Sequence, residues 1–169
     1  MEPLEKTDNV TRLPSAEDAR LREPPHNFDA EQALLGAILV NNSAYQRVAE
    51  FLKPEHFADP LHGKIFDSLS RLIERGQVVS AITLKTYVEQ DEEIKAAGGA
   101  AYLARLAAAS VHVIDAATFG RTIHDLYLRR ELINLGETVV NGAFGADVEE
   151  TALQQIEVAE KKLYDLATT

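Results

Sequence analysis

Pro25-His26-Asn27-Phe28-Asp29-Ala30-Glu31-Gln32-Ala33-Leu34-Leu35-Gly36-Ala37-Ile38-Leu39 breaks from a proline-rich lead-in straight into a helical pattern. Pro24 and Pro25 hold the approach extended, because the residue before a proline avoids the α region. The spacing predicts Asp29 as the cap, with Gln32 three residues on to complete a capping box. Leu34, Leu35, Ile38 and Leu39 then lie on one apolar helical face. The local physics fixes a helix start and names no function.

Working outward, Met1 to about Pro25 is rich in charge and proline with no apolar periodicity, and reads as a flexible tail over residues 1–25. Leu21 could add a helical turn there with nothing to bury it. After the first helix Asn41-Asn42 breaks the pattern, and Ser43 with Gln46 predicts a second capped helix that buries Tyr45, Val48, Phe51 and Leu52. Lys53-Pro54 ends it, and Pro54 starts a short turn. Asp59-Pro60 opens a third helix carrying Leu61, Ile65, Phe66, Leu69, Leu72 and Ile73, with Gly76 as its left-handed stop. Ser80 predicts a cap for a helix bearing Leu84, Tyr87 and Val88. A short turn follows to Gly98-Gly99, and then an alanine-rich helix runs from Ala100 to Ala109. Val111 to Ile114 reads as an extended connector, since one short strand without a partner forms no sheet.

The last third changes character. From about Ala116 to Asn141 a long helix carries Phe119, Ile123, Leu126, Ile133 and Val140 on one stripe, and Leu128, Leu132, Leu135 and Val139 on another. Gly142 and Gly145 mark a turn. Asp147 with Glu150 predicts the cap of a returning helix with Leu153, Ile156, Leu163 and Leu166. Two helices so joined make an antiparallel hairpin. The expected fold is therefore all-α: a small orthogonal helical globule over residues 26–114, followed by a long helical hairpin over 115–169. One stripe seals the hairpin, and the other needs a further surface, on the globule or on another copy. Pattern alone does not separate those two.

Composition narrows the functions. The net charge of −10 and pI near 4.9, with 27 acids against 17 bases, exclude an all-round basic face for nucleic acid. The chain has no Cys, hence no thiolate nucleophile and no Cys-based zinc site. No apolar run approaches the roughly twenty residues that span a bilayer. With a polar, acidic start in place of a signal peptide, the expected compartment is the cytoplasm and no membrane partner is expected. Gly63-Lys64 lies inside a predicted helix and cannot form a phosphate-cradling loop. His26, His56, His62, His112 and His124 are scattered, and no carboxylate motif completes His56 and His62 as a metal site. Arg129-Arg130 reads as a surface ion-pairing site. No catalytic, cofactor or metal constellation is present, so enzymatic activity is not expected of this piece.

The opening string resembles the start of the amino-terminal domain of replicative DNA helicases of the DnaB family, and the likeness continues along the chain. Phe57-Ala58-Asp59-Pro60-Leu61-His62 with Ile65-Phe66, Gly76 to Leu84, Gly98-Gly99 with Tyr102-Leu103 and Leu106, and Arg130-Glu131-Leu132-Ile133 follow the family's motifs in order. The likeness covers about Pro25 to Ala167. Two departures stand out: Ala58 where the family has an aromatic, and Ser80 where it has Asp, a nearly silent change because both residues cap. The resemblance implies an amino-terminal collar domain of a hexameric, ATP-driven helicase, excised from its motor. ATP and Mg would belong to that absent motor, with no cofactor in this fragment. The implied partners are other copies (dimer to hexamer), primase and, in some members, a loader; DNA would be met only through the motor. The implied interface positions are Ile133 and Val139 on the long helix and Leu153 on the returning one. Ordinary hairpin core is the alternative role for each.

Three other readings are open. A helicase-binding domain of a primase has a similar globule and hairpin, but the Pro25 to Gly36 string favours the helicase side. A helix-turn-helix regulator needs a recognition helix rich in basic and amide residues, and the nearest candidate, Ser80 to Asp91, ends in acids. An enzyme with an unseen site has least support.

Overall fold

A computed structural model of the chain describes residues 22–110, 113–145 and 149–169. Its elements are α1 (Phe28–Val40), α2 (Ser43–Gln46), a 3-10 turn (Pro54–His56), α3 (Pro60–Glu74), α4 (Lys85–Val88), α5 (Glu92–Ala96), α6 (Ala100–Ala108), α7 (Val113–Phe144) and α8 (Ala152–Ala167). Among the described residues there is no strand, and the all-α arrangement of a globule followed by a long hairpin is the one that forms.

Helix α1 is the centre of the globule. It is not buried along one face as its pattern predicts: six successive residues, Leu34 to Leu39, are buried. A helix that is apolar on all sides belongs inside, and α1 is enclosed by α2, α3, α6 and α7. Leu34, Leu35 and Ile38 share one core with Ile65, Phe66 and Leu69 of α3, Leu103 and Leu106 of α6, and Ile123 of α7. The approach to α6 is so close that a Cβ at Gly36 would collide with the Leu106 carbonyl. The glycine inside the opening string is thus a packing requirement.

Local signals set several boundaries as expected. Asp59 accepts the Leu61 N–H at 2.9 Å and Pro60 opens α3. Gly76, at φ 77°, ends α3, with the Gln77 N–H returning to the Leu72 carbonyl at 3.0 Å. Others differ. Asn27 caps α1 in place of Asp29, its Oδ1 accepting the Ala30 N–H at 2.9 Å. Ser43 does not cap with Gln46; α2 is only four residues long and continues as turns. The helix predicted from Ser80 shrinks to α4. Ser80 does make its cap bond, its Oγ accepting the Thr83 N–H at 3.2 Å, but residues 81–84 run as turns before α4. Just ahead of them the Asn42 amide pairs with both backbone groups of Val79, at 2.7 and 2.8 Å. Asp91 sits at no helix C-terminus. It caps α5, accepting from the N–H groups of Glu93 and Ile94.

The extended connector is also corrected in part. α7 already begins at Val113; the propensity penalty of β-branched residues in a helix is only a few tenths of a kcal/mol. Val111 and His112 lie outside the described residues, as do residues 1–21 of the expected tail, Leu21 among them, and the predicted cap Asp147. α8 is capped by Thr151, whose hydroxyl accepts the Gln154 N–H at 3.3 Å while Gln154 Oε1 accepts the Thr151 N–H at 2.8 Å.

Candidate protein-interaction surface

The first half of α7 is anchored in the globule. Ala116 and Ile123 are buried in its core, and Gly120 lets the helix approach Val48 and Phe51 so closely that a Cβ would lie 2.5 Å from Val48 Cγ1. Behind this contact the rings of His56, His124 and Tyr127 gather, His56 lying 4.8 Å from His124 and 4.5 Å from Tyr127, centroid to centroid. His56 is buried, and its Nδ1 accepts the Lys53 N–H at 3.0 Å. Burial, and then the nearby His124, lowers its pKa from the usual 6.5 to about 4, so the ring is neutral at pH 7.

Arg130 completes the anchor. Its guanidinium donates to the Pro25 carbonyl at 2.9 Å and to the His56 carbonyl at 2.8 Å. Of the arginine pair, Arg129 does form the expected surface ion pair, with Asp125 at 2.7 Å, whereas Arg130 ties the lead-in and the 3-10 turn to the hairpin. A second buried polar group pins the globule. Glu31 accepts the Ala58 N–H at 2.6 Å and meets His62 Nδ1 at 2.6 Å, and His62 Nε2 meets the Tyr102 hydroxyl at 2.5 Å. The chain α1–α3–α6 is thereby joined through one buried relay. Its role is structural, since both polar ends of the imidazole are used up. Among the described residues no group of three His, Asp or Glu could hold a metal.

Beyond about residue 130 the picture inverts. α7 continues to Phe144, and the 32 residues of the helix span about 48 Å at ~1.5 Å per residue. α8 returns along it in antiparallel register, with Gln155 Nε2 donating to the Gly142 carbonyl at 3.1 Å. Leu135 is buried between them, yet no residue of α8 is buried. Leu132, Val140, Ile156, Val158, Leu163 and Tyr164 are all exposed. The three positions singled out from sequence lie on this surface, spread along its length. Ile133, 45% exposed, lines a cleft at the hairpin base with Phe57, Ala58, Tyr127 and Arg130. Val139, also 45% exposed, lines the groove between the helices beside Gln155 and Val158. Leu153, 65% exposed, is one residue into α8, near the tip. The structure does not gather them into one patch. Sequence reasoning missed Glu31, His56 and Arg130 as anchors; the i, i+1 arginine pair on opposite flanks of a helix was the only signal, and it was ambiguous.

The helical globule, with a hairpin anchored in it whose apolar flanks stay exposed, defines an all-α domain with a candidate interaction surface. Residues 23–125 match the family model described as the DnaB-like helicase N terminal domain, and the chain belongs to that family. It is 44% identical over 166 residues to the replicative DNA helicase DnaB of Rickettsia felis, covering 96% of this chain and 34% of that one. To the replicative DNA helicase DnaB of Treponema pallidum it is 32% identical over 143 residues, covering 85% and 32%. The chain therefore spans about a third of the length of these curated relatives. The crystal structure of the N-terminal domain of DnaB helicase from Mycobacterium tuberculosis is similar with a TM-score of 0.76 at 28% identity, covering 85% of this chain and 99% of that one. A DnaB-like replicative helicase, solved in a study of its interactions with primase, is similar with a TM-score of 0.65 at 25% identity, covering 83% and 31%. Among the described residues no helix is long and apolar enough to cross a membrane.

Proposed function

We propose that this domain is the amino-terminal collar of a hexameric, ATP-driven replicative DNA helicase, acting in the cytoplasm to assemble subunits and to dock primase. The observation that carries the reading is α8, a capped 16-residue helix with no buried residue. A helix of that length is marginal on its own in water, and each large apolar side chain covered by a partner contributes roughly 1.5–3 kcal/mol. The hairpin is thus a surface that gains stability by being covered. Support for primase as one covering partner is the likeness to a helicase studied with primase. ATP and Mg would serve a motor domain, which would also hold the DNA, and a loader would find its footing on this same collar.

Ile133, Val139 and Leu153 are the proposed interface positions. Ile133→Asp in the full-length helicase places a charge on a half-exposed site, so the fold tolerates it. The expected outcome is weaker hexamer assembly or lower stimulation by primase, by about tenfold for the loss of ~1.4 kcal/mol. If assembly and primase stimulation are both unchanged, Ile133 is no interface residue.

A further inference from the structure

Residues 22–26 run past the base of the hairpin as a strap. Pro24 and Pro25 lack an N–H and stiffen the segment, so it has few donors with which to hold itself down. Among the described residues one hydrogen bond joins it to the rest of the molecule, from the Arg130 guanidinium to the Pro25 carbonyl at 2.9 Å. Pro25 is half-buried, and Arg22, Glu23, Pro24 and His26 are exposed. The end nearer α1 is fixed, because His26 stacks on Phe28 with 4.3 Å between centroids and Asn27 caps the helix. The strap is hinged at one end and latched at one point.

Beneath it the surface is divided. Pro24, Ala58 and Arg130 line both a cleft shared with Phe57, Tyr127 and Ile133 and a second one shared with Phe28. Glu55, Glu131 and Glu137 also line the first, and among the described residues none of the three is in an ion pair. Arg130 is the one cation among its lining residues, and that guanidinium is spent on two carbonyls. Three carboxylates around Phe57, Tyr127 and Ile133 suit a segment that carries Lys or Arg beside apolar side chains.

We infer that residues 22–26 are a lid latched by Arg130, which lifts to admit a basic, apolar segment of a partner protein into the joined clefts at the hairpin base. This rests on the reading of Ile133 as an interface position and adds what controls access to it. A single charged hydrogen bond holds the lid shut, so an incoming segment has one bond to displace before the two clefts run together. Its Lys or Arg side chains meet Glu55, Glu131 and Glu137, which makes capture weaken with salt.

The chain has no Cys, so spin labels at Glu23→Cys and Glu50→Cys report on the strap alone. Double electron–electron resonance should show one narrow distance distribution with Arg130 in place. Arg130→Gln should add a shifted population, and Arg130→Lys, which keeps the charge but not the two-armed reach, a smaller one, with helical circular dichroism unchanged. The binding probe is a fluorescein-labelled peptide in which Lys alternates with Leu and Phe. It should bind Arg130→Gln about tenfold more tightly than the wild type. Glu55→Gln, Glu131→Gln, Glu137→Gln together should weaken it about tenfold. The control set Glu89→Gln, Glu92→Gln, Glu160→Gln, three acids that line neither cleft, should not. An unchanged distance distribution in both Arg130 variants overturns the latch, and equal peptide affinity for Arg130→Gln overturns the gating. No peptide binding, or equal weakening by both sets of Gln changes, overturns the clefts as the place of capture. None of these readouts needs helicase assembly, so they stand apart from the outcome for Ile133→Asp.

Discussion

His56 shows at the scale of one residue how the hairpin's anchor becomes sensitive to pH. The folded protein holds this imidazole neutral down to about pH 4, whereas an unfolded histidine takes up its proton near 6.5. Below pH ~6.5 the unfolded state therefore binds a proton that the folded state refuses, and stability falls as pH falls towards about 4. Above ~6.5 the residue is neutral in both states and its full contribution is present. The loss is bounded at about 3.5 kcal/mol, from ~1.4 kcal/mol per pH unit over the interval between 6.5 and about 4. Thermal midpoints between pH 7 and 4.5 should drop more steeply for the wild type than for His56→Asn, whose Oδ1 can still accept the Lys53 N–H. Equal slopes would show that His56 is not the group responsible. Ala58 sits between this anchor and the Glu31 relay and lines a cleft on either side, one with Ile133 and one with His26 and Phe28.

Among elements, α1 is decided by its neighbours more than by its own pattern. Gly36→Ala raises helix propensity by about 1 kcal/mol, but the added methyl runs into the Leu106 carbonyl, and overpacking costs about 1–3 kcal/mol. Urea unfolding should show net destabilisation; a gain in midpoint would mean that α6 yields freely. What was legible in the sequence follows the same division. Pro60 behind Asp59 and Gly76 at a positive φ act within a few residues, so α3 could be bounded by inspection. α2 and α4 could not, because each is four residues long and has no side-chain cap of its own to mark where it starts. The cap at Asn27 in place of Asp29 is a choice between two good cappers two residues apart.

At the scale of the molecule, the domain is a fixed globule from which a hairpin projects. The hairpin's exposed stripes were readable because a heptad-like spacing survives in Ile156, Ala159, Leu163 and Leu166 whether or not the face is covered. The buried relay of Glu31, His62 and Tyr102 was not readable. A glutamate in the first turn of a helix looks the same in sequence whether it faces water or three converging elements. The same division runs through the hairpin: the globule's polar anchors hold the base of α7, and the apolar flanks beyond it stay exposed.

Static light scattering of this chain, followed from low to high concentration, tests the proposed assembly of subunits most directly. Mass rising with concentration to a dimer or a larger ring is the predicted result, and a constant monomer mass at the highest concentration would contradict it.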